Sequence, residues 1–103
     1  MADPMKIRAS ILGDTTEVKV LMNHEMETGQ RKDAQGKVIP AWFIQSVTAT
    51  SNGRTVLAAQ WGPAVAKNPF LAFKFKGAAK GDKVQVNWVD NHGDKRTDEA
   101  TIT

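Results

Sequence analysis

Apolar and polar residues alternate along most of this chain. Residues 6–12 place Ile7, Ala9 and Ile11 on one side and Lys6, Arg8 and Ser10 on the other. A period of two belongs to a half-buried β-strand. Gly13-Asp14 turns the chain, and residues 16–22 repeat the pattern, with Val18, Val20 and Met22 opposed to Glu17, Lys19 and Leu21. Further strands are predicted over 42–51, 54–61, 70–76, 83–89 and 96–103. Glycine-bearing turns separate most of them, and no stretch sustains a helical period. Seven short strands in 103 residues predict one domain, an all-β, immunoglobulin-like β-sandwich of about seven antiparallel strands.

Asn52-Gly53 is the strongest hairpin signal, because both residues tolerate the positive φ of a type I′ turn. A two-residue loop sets Ser51 opposite Arg54, Ala49 opposite Val56, Val47 opposite Ala58 and Ile44 opposite Trp61. One face of the hairpin then carries Phe43, Val47, Ala49, Val56 and Ala58. The other carries Trp42, Ile44, Leu57, Ala59 and Trp61. A sandwich sheet buries one face and leaves the other polar, so two apolar faces need an explanation. Either loops fold over the second face, or it is a docking surface anchored by Trp42, Ile44, Leu57 and Trp61.

Residues 23–40 form a long polar connection, of a length that often carries function. Asp33-Ala34-Gln35-Gly36 reads as a turn within it, and the flanking 30–32 and 37–39 are expected to pair as a small hairpin tongue.

Composition narrows the chemistry. The chain has no cysteine, which removes disulfides, thiolate metal sites and thiol nucleophiles together. The net charge of +3 is mildly basic. Lys67, Lys74, Lys76, Lys80 and Lys83 face only Asp82 in their stretch, without the clustered arginines and aromatics of a nucleic-acid site. Solvated strand edges explain them, with attraction of small anions as a weaker option. No apolar run is long enough to span a membrane, and residues 1–6 have no apolar core of a signal peptide.

Motifs for catalysis are missing. There is no Gly-x-Ser-x-Gly elbow and no phosphate-cradling glycine loop. Ser10, Ser46 and Ser51 have no evident histidine partner. His92 lies in a turn and is expected to face solvent. Met22, His24 and Met26 have donor types that suit Cu(I), which leaves a copper-handling protein as the alternative to a binding module. The competing expectation is Met22 in the core and His24 at the surface. Exposed tryptophans also allow a carbohydrate-binding module.

The segments together resemble the SoxZ family. Those that carry the resemblance are Met22-Asn23-His24-Glu25-Met26-Glu27-Thr28-Gly29-Gln30-Arg31-Lys32-Asp33, Ile39-Pro40-Ala41 with Phe43-Ile44, 47–52, Trp61-Gly62-Pro63 through Asn68-Pro69 to Gly77, and 90–98. They span nearly the whole chain. Glu25 departs from the pattern, since members often have proline after the histidine.

The resemblance implies a non-catalytic subunit without a cofactor. It would form a heterodimer with SoxY, which carries thiosulfate-derived sulfur on a cysteine near a flexible C-terminus. It also implies transient contacts with the other thiosulfate-oxidising enzymes and work in the periplasm, exported with the signal-bearing partner. No nucleic acid or membrane is expected as a partner, and the isolated chain is a possible homo-oligomer. On this reading the face with Trp42, Ile44, Leu57 and Trp61 meets the carrier subunit. The tongue, with Glu27, Arg31, Lys32 and Asp33, meets the enzymes.

Overall fold

A computed structural model describes residues 3–103. Seven antiparallel strands form two sheets: β1 (Lys6–Leu12), β2 (Thr15–Leu21), β3 (Ile44–Ser51), β4 (Arg54–Gln60), β5 (Phe70–Lys76), β6 (Lys83–Asp90) and β7 (Lys95–Thr101). One sheet has the order β1-β2-β5, the other β4-β3-β6-β7. The expected sandwich is therefore present, and the predicted strands lie within two residues of those observed.

The alternating residues meet between the sheets. Val18 and Val20 of β2, Val47 and Ala49 of β3, and Val84, Val86 and Trp88 of β6 are buried. Burying a side chain of Val or Leu size contributes about 1.5–3 kcal/mol. Phe73, Phe75, Leu71 and Ile7 pack against this core from the smaller sheet. The C-terminus ties the layers together: Ile11 donates to the Thr103 carbonyl at 3.0 Å, and Thr103 donates to the Ala9 carbonyl at 3.0 Å.

The β3–β4 hairpin turns through Asn52 and Gly53, both at positive φ (53° and 73°), and Ser51 pairs with Arg54 as expected. That register continues through the next pair and fails beyond it. Thr50 faces Thr55, but Ala49 faces Leu57 and Val47 faces Ala59. Val56 is the extra residue of a β-bulge, which turns Leu57 and Ala59 inward beside Ala49 and Val47. A second irregularity between Ile44 and Ser46 returns Ile44 to the inner row. Val47 and Ala49 of one expected face thus line the interior together with Ile44, Leu57 and Ala59 of the other, while Ala58 stays outside.

The molecule measures 54 × 21 × 20 Å. Strands of seven or eight residues account for roughly 24–27 Å of the long axis. The loops and the tongue supply the rest.

Candidate functional site: the tongue and its anchoring node

The chain leaves β2 at Leu21 and is fastened at once. Met22 is buried, and its N–H donates to the Pro69 carbonyl at 2.9 Å. The His24 N–H donates to Asn68 Oδ1 at 3.1 Å, and the Asn68 N–H returns a bond to the His24 carbonyl at 2.9 Å. Glu25 and Lys67 add an exposed ion pair at 3.3 Å.

The His24 ring lies inside the protein. The Met26 N–H donates to Nδ1 at 3.0 Å, so Nδ1 carries the lone pair and the proton sits on Nε2. Nε2 lies 3.0 Å from Asp90 Oδ2. The same oxygen accepts from Trp42 Nε1 at 2.7 Å, while Oδ1 accepts from the backbone N–H groups of His92 and Asp94, both at 2.9 Å. Burial pushes the Asp90 carboxyl upward, but the hydrogen bonds from His24, Trp42, Asp94 and His92 outweigh it and hold it below its ordinary 3.8. A buried carboxylate survives only with such a set of donors. His24 stands edge-on to Trp42 and to Trp88, with centroids 5.1 Å apart in each case. Since His24 follows β2 and Asp90 ends β6, this node clamps the two sheets together.

The Asp–His pair matches a catalytic dyad only in outline. A histidine base needs a free ring nitrogen to take a proton from a nucleophile. Both nitrogens of His24 are occupied, one by Asp90 and one by the Met26 N–H. The copper reading meets the same obstacle. Met22 is in the core, and Met26 Sδ accepts from the Ile44 N–H at 3.4 Å. Among the described residues no three His, Cys, Asp or Glu side chains converge as a metal group. The expectation of a surface His24 is corrected: the ring is buried because Asp90 needs it. His92 is exposed as expected, and its ring stacks on Trp42 at 5.2 Å with the planes 4° apart.

The tongue rises from this node. Glu27 and Trp42 exchange two backbone hydrogen bonds at its base. Arg31 holds the Glu27 carboxylate with Nε and Nη2, and this bidentate grip keeps Glu27 below its ordinary range. Gly29 runs at φ 84°, and a Cβ there would come 3.1 Å from the Ala41 Cβ, so the base closes only around glycine. Lys32 pairs with Val38. At the tip, Asp33 Oδ1 accepts from the N–H groups of Gln35 and Lys37 at 2.9 and 3.0 Å. The hairpin tongue predicted from Asp33 to Gly36 is therefore observed, and residues 30–38 are exposed.

Of the four residues expected to form a docking face, Ile44 is fully buried. Leu57 points inward and, like Trp61, is half-buried against the core. Trp42 is committed to Asp90 and His92. They form no exposed patch, because the two bulges turned that face inward. Glu27 and Arg31 are brought together, while Lys32 and Asp33 lie further out along the tongue. Sequence reasoning missed Asp90. It continues the inward row Val84, Val86, Trp88 at the same period of two, and a carboxylate in that row signals a buried partner.

An open concavity of about 320 Å³ lies at the node, lined among others by Asn23, His24, Trp42, Asn68, Trp88 and Asp94, and the exposed hairpin stands beside the node. The family model "Sulphur oxidation protein SoxZ" matches residues 5–101, and the chain belongs to the SoxZ family. Membership makes it a subunit of a sulfur-oxidation carrier complex, with a protein partner in that system. No curated protein matches the chain.

Solved structures show the same fold at low identity. Hypothetical protein PH1083 from Pyrococcus horikoshii OT3 is 16% identical with a TM-score of 0.63, over 99% of this chain and 88% of that one. The superoxide reductase (neelaredoxin) from Ignicoccus hospitalis is 16% identical with a TM-score of 0.57, over 99% and 82%. A single-residue variant of the Archaeoglobus fulgidus superoxide reductase (neelaredoxin), in the reduced form, is 20% identical with a TM-score of 0.54, over 97% and 86%. These likenesses concern the fold alone.

Proposed function

We propose that this chain is the non-catalytic member of a heterodimer with a SoxY-type subunit, working in the periplasm. The partner holds the sulfur cargo on a cysteine, and this chain supports and presents it. The observation that carries the reading is the family match over nearly the whole chain. The absence of any thiol and the fully engaged His24 agree with a subunit that handles no cargo itself.

Surface chemistry favours one side of the body for the permanent partner. Three strands of the larger sheet present Gln60, Ala58 and Thr55 on β4, Ser46, Thr48 and Thr50 on β3, and Val89, Asn87 and Gln85 on β6 in register. None of these nine is charged, and charges enter only at Lys83, where β6 begins, and on the edge strand at Lys95 and Glu99. Lasting interfaces bury their centre, and charged residues are depleted there. The tongue, with Glu27, Arg31, Lys32 and Asp33, is left for the visiting enzymes.

The test is co-purification of the tagged chain from cells oxidising thiosulfate. The expected result is one cysteine-bearing partner at equal stoichiometry. A chain recovered alone, or with a partner lacking cysteine, would overturn the reading. Removing residues 31–37 should then slow turnover while the heterodimer persists; loss of the heterodimer would reverse the roles of tongue and body.

A further inference from the structure

The outer face of the smaller sheet differs from that of the larger one in charge. Its rows read across β1, β2 and β5 as Lys6–Leu21–Phe70, Arg8–Lys19–Ala72, Ser10–Glu17–Lys74 and Leu12–Thr15–Lys76. Five cations, Lys6, Arg8, Lys19, Lys74 and Lys76, meet two acids, Glu17 and the Asp14 of the adjoining turn. The other nine cations and nine acids of the chain balance. The whole excess of +3 therefore lies on this one face.

Two details go beyond a solvated surface. Arg8 stands directly opposite Lys19, and like charges facing each other across strands are destabilising. Lys19, Lys74 and Lys76 lean toward acids at 3.6–3.9 Å. Lys6 and Arg8 form no ion pair among the described residues. Beside them Leu21 and Phe70 face one another, 42% and 63% exposed. This apolar pair lies at the tongue end, since Met22 follows Leu21 and the Asn68-Pro69 strap precedes Phe70.

We propose that this face is an encounter surface for an acidic protein patch, with Leu21 and Phe70 as its apolar contact, and that the patch belongs to the enzymes that visit the carrier complex. The proposal rests on the chain being a carrier-complex subunit. Charge complementarity argues for the occupant, because an acidic surface relieves the Arg8–Lys19 opposition and is steered by the excess charge. Size argues for a visitor. Three strands of seven residues cover about 14 by 24 Å, an area suited to weak and transient association. The tongue continues the same surface.

Arg8→Glu separates a docking role from a structural one. It places an acid opposite Lys19, so the fold should be at least as stable, while association should weaken. The probes are the thiosulfate-oxidising enzymes of the same cells, purified and immobilised one at a time, with the intact heterodimer in solution. For at least one enzyme, Lys6→Glu with Arg8→Glu and Lys19→Glu should slow association by about tenfold at low salt. Its salt dependence should flatten, and Arg8→Glu alone should do so by less. Leu21→Ser with Phe70→Ser should speed dissociation from the same enzyme.

Unchanged association with every enzyme, while the heterodimer stays intact, would overturn the proposal. So would a defect confined to binding of a single-stranded oligonucleotide of about twenty nucleotides, since the face would then serve a nucleic acid. Failure of the carrier-subunit reading is visible separately, as the absence of a cysteine-bearing partner before any variant is made.

Discussion

The two sheets are built from the same alternation, yet their outer faces differ. The larger sheet shows Thr48, Thr50, Asn87 and Gln85, with charge only at Lys83, where β6 begins, and along its edge strand. The smaller sheet carries all of the chain's excess charge, with Arg8 placed against Lys19. Inner faces answer to packing and look alike. Outer faces are free of that demand, so their difference reports what each meets. A neutral face suits a partner that stays, and a charged one suits partners that arrive and leave.

The largest expected effect removes the clamp that sets the faces relative to one another. Asp90→Ala leaves His24 Nε2–H, Trp42 Nε1–H and the N–H groups of His92 and Asp94 without their acceptor. The loss should be about 3–5 kcal/mol. For a domain of this size each kcal/mol lowers Tm by roughly 4–8 °C, which calorimetry reads directly. Both faces should lose function together; survival of either would show that the node is not what holds them.

Next come the faces themselves. Thr48→Arg puts a charge at the centre of the neutral face, where Thr48 is exposed, so the free chain should fold normally. Its affinity for the carrier subunit should fall at least tenfold, about 1.4 kcal/mol, measurable by titration calorimetry. Reversing charges on the basic face should leave that affinity within a factor of about two, because exposed charges far from an interface are screened.

Acid is a milder probe. The native pKa of Asp90 lies below its ordinary 3.8. Its contribution is complete above that value and is lost as the pH falls through the lower native one. Asp98, held down chiefly by Arg96, and Glu27, held down by Arg31, act in the same direction. Tryptophan fluorescence should therefore stay constant down to about pH 4 and change below it. Arg31→Ala should have the smallest effect. Amide exchange over residues 31–39 should quicken, with Tm little altered, because the tongue is exposed and separate from the core.

Much of this fold was legible in the chain. Alternation marked seven strands, Asn52-Gly53 set the Ser51–Arg54 pair, and Asp33 to Gly36 marked the tongue turn. The bulges at Val56 and between Ile44 and Ser46 were not legible, because a bulge is settled by which residues the core takes in and leaves no local signature. One extra residue at each then moved Leu57 and Ile44, respectively, from a supposed docking face to the interior. His24 was misread for a related reason: its burial depends on Asp90, 66 residues away. The excess charge of the smaller sheet was hidden as well, since its five cations come from three separated segments that only the β1-β2-β5 order brings together.

The most direct test of the two-face account compares Thr48→Arg with Lys19→Glu in one co-purification of the tagged chain from thiosulfate-oxidising cells. The account predicts that Thr48→Arg loses the cysteine-bearing subunit while remaining folded, and that Lys19→Glu retains it at equal stoichiometry. Retention by the Thr48→Arg chain together with loss by the Lys19→Glu chain would contradict it.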